Sequence, residues 1–208
     1  MRYSSAELAE GYANARPRLH ERIVARIGVR AHSALDVGCG AGLSTRHLRA
    51  ERVVGVDPFA GMVRWGSRVA PQASFVVARA EALPFRDASF DLITAAGSLN
   101  YADPARAFPE LRRVLTAAGT LVVYDFSQDD FNYDRAPDGA IELDPGILAD
   151  VAAGFRVARS ERFTYTIEMD RGEYEAYLRT EIADPPPVER GATLKFSGYL
   201  AWLTPASL

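Results

Sequence analysis

The chain has little from which to build a covalent or metal-held scaffold. Its one cysteine, Cys39, excludes an intrachain disulfide, and an oxidising compartment is not implied. The three histidines, His20, His32 and His47, stand at no ligand spacing, and no metal site is expected. Lysine is scarcer still, since all but one of the 24 basic residues are Arg and Lys195 is the exception. Those basic residues form no block and the formal net charge is −3, which argues against a nucleic-acid face. No apolar run nears the roughly 18 residues that a membrane helix requires. Residues 1–7 lack the apolar core of a signal peptide. The expectation is a cytoplasmic protein with no membrane or nucleic-acid partner.

What is present is ordinary for a globular chain: 208 residues, 48% of them hydrophobic and 25% charged, the size of one domain or slightly over. Residues 6–29 read as two short helices parted near Arg16-Pro17, because proline suits a first helical turn. In the second of them Leu19, Ile23, Val24 and Ile27 recur at helical spacing and should face a core. From Ser33 the rhythm becomes strand, loop, helix. Strands are expected over residues 34–37, 52–57, 74–78, 90–96 and 120–126, with helices over 43–50, 59–69 and 104–115. Near-continuous apolar runs such as Leu121-Val122-Val123 indicate strands covered on both faces, as in a parallel sheet between helix layers. The predicted fold is α/β, a doubly wound, mostly parallel sheet. Beyond Phe126 the pattern loosens: residues 127–146 hold five Asp, two Pro and two Gly and read as a loop. A short helix (147–153), a strand (155–166), a helix (173–182) ended by three prolines and a last strand (194–203) follow. That closing pair brings the strands to seven and suggests an antiparallel edge. The division is a helical lid (1–32), a ligand-binding half (33–126) and C-terminal strands (127–208), all in one domain.

The stretch Leu35-Asp36-Val37-Gly38-Cys39-Gly40-Ala41-Gly42 places three glycines on alternate positions after an apolar strand. Glycine there allows φ > 0 and lets the backbone approach a ligand, and nucleotide-like cofactors bind at such turns at the carboxyl ends of parallel strands. A dinucleotide fingerprint wants glycine or alanine where Leu43 stands. Asp36, just upstream, would repel a pyrophosphate but suit a cationic amine. Asp57, closing the second strand, can accept hydrogen bonds from ribose hydroxyls.

With Val54-Gly55-Val56-Asp57-Pro58-Phe59-Ala60-Gly61-Met62, Ala80-Glu81-Ala82-Leu83-Pro84-Phe85, Ser89-Phe90-Asp91-Leu92-Ile93, Leu111-Arg112-Arg113-Val114-Leu115 and Ala118-Gly119-Thr120-Leu121, the chain resembles the class I S-adenosylmethionine-dependent methyltransferases, specifically a type 11-like, small-molecule group, over residues 34–126. The resemblance implies a Rossmann-like fold and S-adenosyl-L-methionine as cofactor. It implies that Asp36 lies near the cofactor's amino end, with Gly38, Cys39 and Gly40 under the methionine portion. Asp57 would hold the ribose, with Pro58 and Met62 beside the adenine and Ala80 and Glu81 at its outer edge. Gly97 and Ser98 would line the methionine end. Tyr12 and Arg16 fall where many relatives close over the cofactor carboxylate. Arg79 departs from the pattern: many relatives carry Asp there, and arginine has no acceptor for the adenine amino group. Cys39 is common between such glycines and reads as a small packed side chain, with no histidine near in sequence to activate it.

Methyl transfer from a sulfonium is an in-line displacement governed by orientation. Asn100, Tyr101 and Asp125, after the fourth and fifth strands, are the catalytic candidates, and Tyr3, Phe126, Phe131, Tyr133 and Trp202 could wall an apolar pocket or cap the core. The expected partner is a small-molecule methyl acceptor. Two alternatives stay open: a fold that binds the cofactor without transferring the methyl, and a nicotinamide-dependent oxidoreductase, which Asp36 and Leu43 disfavour.

Overall fold

The structure, a computed structural model, describes residues 10, 13–129, 143–182 and 184–206. Among these, a seven-stranded sheet runs in the order β3-β2-β1-β4-β5-β7-β6, with β1 Ala31–Val37, β2 Ala50–Asp57, β3 Ser74–Val77, β4 Phe90–Ala96, β5 Leu115–Gln128, β6 Phe155–Met169 and β7 Ala192–Pro205. Strands β1 to β5 pair in parallel. β7 lies between β5 and the outermost β6 and is antiparallel to both. The strands are joined or flanked by α1 Leu19–Ile27, α2 Ala60–Val69, α3 Pro104–Val114, α4 Pro145–Val151 and α5 Arg171–Glu181.

Alternation along the strands sorts side chains into two layers. Leu35, Val37, Val54, Val56, Ile93, Leu121 and Val123 pack against Phe108 and Leu111 of α3 and Leu148 of α4. Ala34, Leu92, Val122, Tyr124 and Leu200 face the other way, against Leu19, Ile23, Val24 and Ile27 of α1 and Tyr177 of α5. The apolar spacing read in α1 is thus its buried face. Leu19 and Ile23 are completely buried, each stabilising by about 1.5–3 kcal/mol relative to an exposed position.

Three elements differ from the expected ones for identifiable reasons. The helix expected over 43–50 is a single 3-10 turn, Thr45–His47, and Ala50 already opens β2. The Ser44 and Thr45 hydroxyls donate to Asp36 instead of facing solvent on a helix, and side-chain bonds of this kind compete with helical continuation. β5 begins at Leu115 because Leu115 pairs with Phe90 before the register shifts, so that Leu92 next pairs with Thr120. Gly119, expected as a turn residue, lies in that irregular stretch. α5 begins at Arg171, not 173, because Asp170 and Glu173 form a reciprocal capping box, which satisfies two otherwise orphaned N–H groups. Similarly, Asp144 caps α4 by accepting from Gly146 and Ile147, with Pro145 in the first turn. Among the described residues no helix is long and apolar enough to cross a membrane.

Candidate functional site

The carboxyl ends of β1, β2, β4 and β5 converge on the glycine loop. Gly38, Gly40 and Gly42 have φ of +67°, +52° and +83°, the left-handed region that side chains with a Cβ adopt only at a cost. Two of these glycines are also needed for space. A Cβ on Gly38 would run into Ser98 at the end of β4, and one on Gly42 would come within 3.0 Å of Gly66 Cα in α2. Gly40 differs: among the described residues nothing lies within 4 Å of a Cβ built there.

Hydrogen bonds fix the loop from both sides. The Cys39 N–H donates to Val56 O at 2.9 Å, and the Gly40 N–H donates to Asp57 Oδ2 at 3.0 Å. Asp57 Oδ1 accepts from the Phe59 N–H at 2.9 Å. Burial raises the Asp57 carboxyl above its ordinary value, opposed by those two N–H groups. On the β4 side Ser98 Oγ donates to Val37 O at 2.6 Å. Met62 of α2 and Ala41 of the loop are buried together, with Ala13, Phe59 and Trp65 packed against them. Pro58 is exposed beside this group. Cys39 is 4% exposed, and burial raises its thiol well above the ordinary value, which keeps it protonated and inert.

Asp36 lies two residues before the first of the loop glycines. It is completely buried, and its carboxylate accepts from Ser44 Oγ at 2.6 Å, Thr45 Oγ1 at 2.7 Å and Thr94 Oγ1 at 2.8 Å. Burial raises its pKa while the three hydroxyls pull it down. The cluster continues through Tyr124, which hydrogen-bonds Ser44 and lies 3.0 Å from His20 Nδ1 through its hydroxyl. Burial, reinforced by Arg16 and His47, lowers His20 to about 3, so it meets Tyr124 as a neutral ring. A chain of polar groups therefore ties the loop to α1. Sequence reasoning missed it because Asp36 and Thr94 are 58 positions apart.

Next to Ala80, Glu81 accepts from the Asp103 N–H at 3.1 Å and pairs with Arg79 at 3.4 Å. The loop that follows is stapled to α3 by Arg113. Its guanidinium donates to Leu83 O, Phe85 O, Asp87 and Glu110, while Glu110 accepts from the Leu83 N–H at 2.9 Å. This staple too was absent from the sequence reading, although an Arg three residues after a Glu on α3 is its local signal.

Across the sheet, Gly97 has φ of +57°, and Asn100 Nδ2 donates to Asp125 Oδ2 at 2.7 Å. Two of the three catalytic candidates are thereby in contact, while Tyr101 is 49% exposed at the rim. Arg16 Nη1 pairs with Glu181 Oε1 of α5 at 2.6 Å. Phe126 packs edge-on against His20. Trp202 is a core residue rather than a pocket wall, its indole N–H donating to Ile27 O at 3.0 Å. Tyr12, Tyr3, Phe131 and Tyr133 lie outside the described residues. Among the described residues no group of His, Cys, Asp and Glu could hold a metal ion.

A family model described as a methyltransferase domain matches residues 35–123, the stretch that builds the glycine loop and β1 to β5. Over this stretch the chain resembles the class I S-adenosylmethionine-dependent methyltransferases. An uncharacterised methyltransferase of Mycobacterium tuberculosis is 33% identical over 151 residues, covering 71% of this chain and 60% of that protein. A demethylmenaquinone methyltransferase of Renibacterium salmoninarum is 39% identical over 100 residues, 47% of this chain and 42% of that one. The matched part thus spans about 60% or less of the length of these curated relatives. Among solved structures, the YcgJ protein of Bacillus subtilis shares the fold with a TM-score of 0.62 at 19% identity, over 90% of this chain and 98% of that one.

Proposed function

We propose that this chain binds S-adenosylmethionine across the ends of β2, β1 and β4 and transfers its methyl group to a small-molecule acceptor. The observation that carries the reading is the junction of Gly40 and Asp57: an open, Cβ-free cradle whose N–H is bonded to the one acid that ends β2. Each carboxylate oxygen of Asp57 already accepts one N–H and has lone-pair capacity for another donor, which suits a vicinal diol. The residues present therefore fit the cofactor. Asp57 would take the ribose hydroxyls. Pro58, Met62, Ala80 and Glu81 would border the adenine, while Gly38, Cys39, Gly40, Gly97 and Ser98 would border the amino-acid portion. Tyr12 and Arg16 would close over its carboxylate.

When bound, the cofactor supplies an electrophilic methyl group on a sulfonium. The chain's own contribution is to hold acceptor and methyl close and collinear, which can lower a barrier by roughly 7–11 kcal/mol. Asp36 serves the same end indirectly, since its three hydroxyl donors fix the turn that sets the glycine loop. The match to demethylmenaquinone methyltransferases covers less than half of either chain, so the quinone named there is not carried over as the acceptor here.

Calorimetry tests the reading. Wild-type protein should bind S-adenosylmethionine, and Asp57→Ala should weaken it at least tenfold, as expected for losing hydrogen bonds to a charged group at ~1.5–3 kcal/mol. Heat on adding a nicotinamide dinucleotide, with none for S-adenosylmethionine, would transfer the site to the oxidoreductase alternative.

A further inference from the structure

Just past the last pairing of β5 with β4, Asp125 lies on the sheet face opposite the Asp36 cluster, since Tyr124 points to the α1 layer. Its Oδ2 accepts from Asn100 Nδ2 at 2.7 Å and its Oδ1 from the Phe126 N–H at 2.8 Å. The end of β4 makes room for it: a Cβ on Gly97 would come within 2.7 Å of Asp125 Oδ1, and the Gly97 N–H donates to Tyr124 O. Asp125 is half-buried, whereas Asp36 is sealed. Strand order fixes its place in the site. Asp57 ends β2, the glycine loop follows β1, Gly97 and Ser98 follow β4, and Asp125 follows Tyr124, the last β5 residue paired with β4. Three strand spacings, about 14 Å, separate β2 from β5. A ligand with its ribose at Asp57 and its amino-acid portion along the loop has Asp125 beyond its reactive end.

We propose that Asp125 is the carboxylate facing the transferred methyl, and that Asn100 is its positioning residue. The acceptor class follows: a group whose reacting atom bears both a lone pair and a proton, such as a hydroxyl or a neutral amine. A lone pair of that atom forms the bond to the methyl carbon, and the carbon–sulfur bond breaks with its electron pair returning to sulfur. The acceptor's proton passes to the Asp125 carboxylate, whose orientation is held by the Asn100 amide. This inference rests on the S-adenosylmethionine reading above.

The test compares two probes by calorimetry. S-adenosylhomocysteine lacks the methyl, and sinefungin carries a protonated amine where the methyl-bearing sulfonium would be. Wild type should bind sinefungin at least tenfold tighter than S-adenosylhomocysteine, because the amine meets Asp125. Asp125→Asn should reduce that ratio to within about threefold while leaving S-adenosylhomocysteine unchanged. Asn100→Leu, which keeps the carboxylate, should narrow the ratio partway, again with S-adenosylhomocysteine unchanged; a purely structural role would weaken both probes together. A ratio that survives in both variants, equal loss of both probes, or a wild type that binds both without a gap overturns this assignment alone. Failure of wild type to bind either probe overturns the cofactor reading and this one with it.

Discussion

The two halves of the sheet are built by different means. From β1 to β4 the geometry is set by backbone crowding: Gly38 against Ser98, Gly42 against Gly66, and Gly55 and Gly66 both against the ring of Phe75. From β5 to β7 the strands are long, 14, 15 and 14 residues, and the ribbon's outermost strand carries Arg156, Arg159, Glu161 and Arg162. Charges of that kind blunt an exposed edge against pairing with other chains. The first half is a fixed cradle that tolerates few residues at few positions. The second offers a frame on which loops and side chains vary, and the Asn100–Asp125 pair is a directed polar contact at its junction with the first. On the proposed reading, the cofactor site is encoded in backbone space and the acceptor site in side-chain chemistry.

The comparison breaks most sharply at the glycines. Gly38→Val forces a β-branched side chain into the left-handed region and into Ser98, and S-adenosylmethionine binding should fall beyond about a hundredfold with a large loss of thermal stability. Gly40→Ala separates the two costs. Its Cβ meets nothing within 4 Å, so folding should lose only the conformational term, about 1–2 kcal/mol, while ligand affinity still drops because the methyl occupies the cradle. Chemical denaturation and calorimetry on both variants decide this. Equal stability for the two would mean that the Gly38–Ser98 approach is not a constraint.

Asp36 marks the boundary between what spacing discloses and what it does not. The glycines, the ends of β1 and β2, and the buried face of α1 follow from local patterns: an apolar run, an acid, alternate glycines, and residues at helical intervals. Local patterns have no access to Thr94 reaching Asp36 from another strand, to Tyr124 meeting His20 across the helix layer, or to Arg113 holding the loop after Glu81, because each contact exists only once the sheet is assembled. The predicted helix over 43–50 failed for the same reason, since a distant carboxylate took the hydroxyls of Ser44 and Thr45. Asp36→Ala should therefore act on stability, leaving three buried hydroxyls without their acceptor at about 1–3 kcal/mol for such groups. Thr94→Val removes one donor with little change of shape and should cost about 1 kcal/mol. Urea denaturation of the pair measures both. A destabilisation by Thr94→Val as large as that by Asp36→Ala would locate the effect in packing at Thr94 instead of in the shared carboxylate.

Arg16 gives the finest test of where the lid belongs. Its guanidinium pairs with Glu181, whose side chain is 6% exposed, at 2.6 Å, which attaches the segment before α1 to α5 of the C-terminal half. Removing one member of a buried pair leaves the other charge uncompensated, so Arg16→Ala should lower the melting temperature, and Glu181→Gln in the same background should restore part of it. A ligand carboxylate would share a guanidinium already engaged by Glu181. The added loss for S-adenosylmethionine over its decarboxylated analogue should accordingly be small, about threefold, as for a screened ion pair worth under about 1 kcal/mol. Equal losses for the two ligands would assign Arg16 wholly to joining the halves, and the closure over the cofactor carboxylate would then fall to other residues.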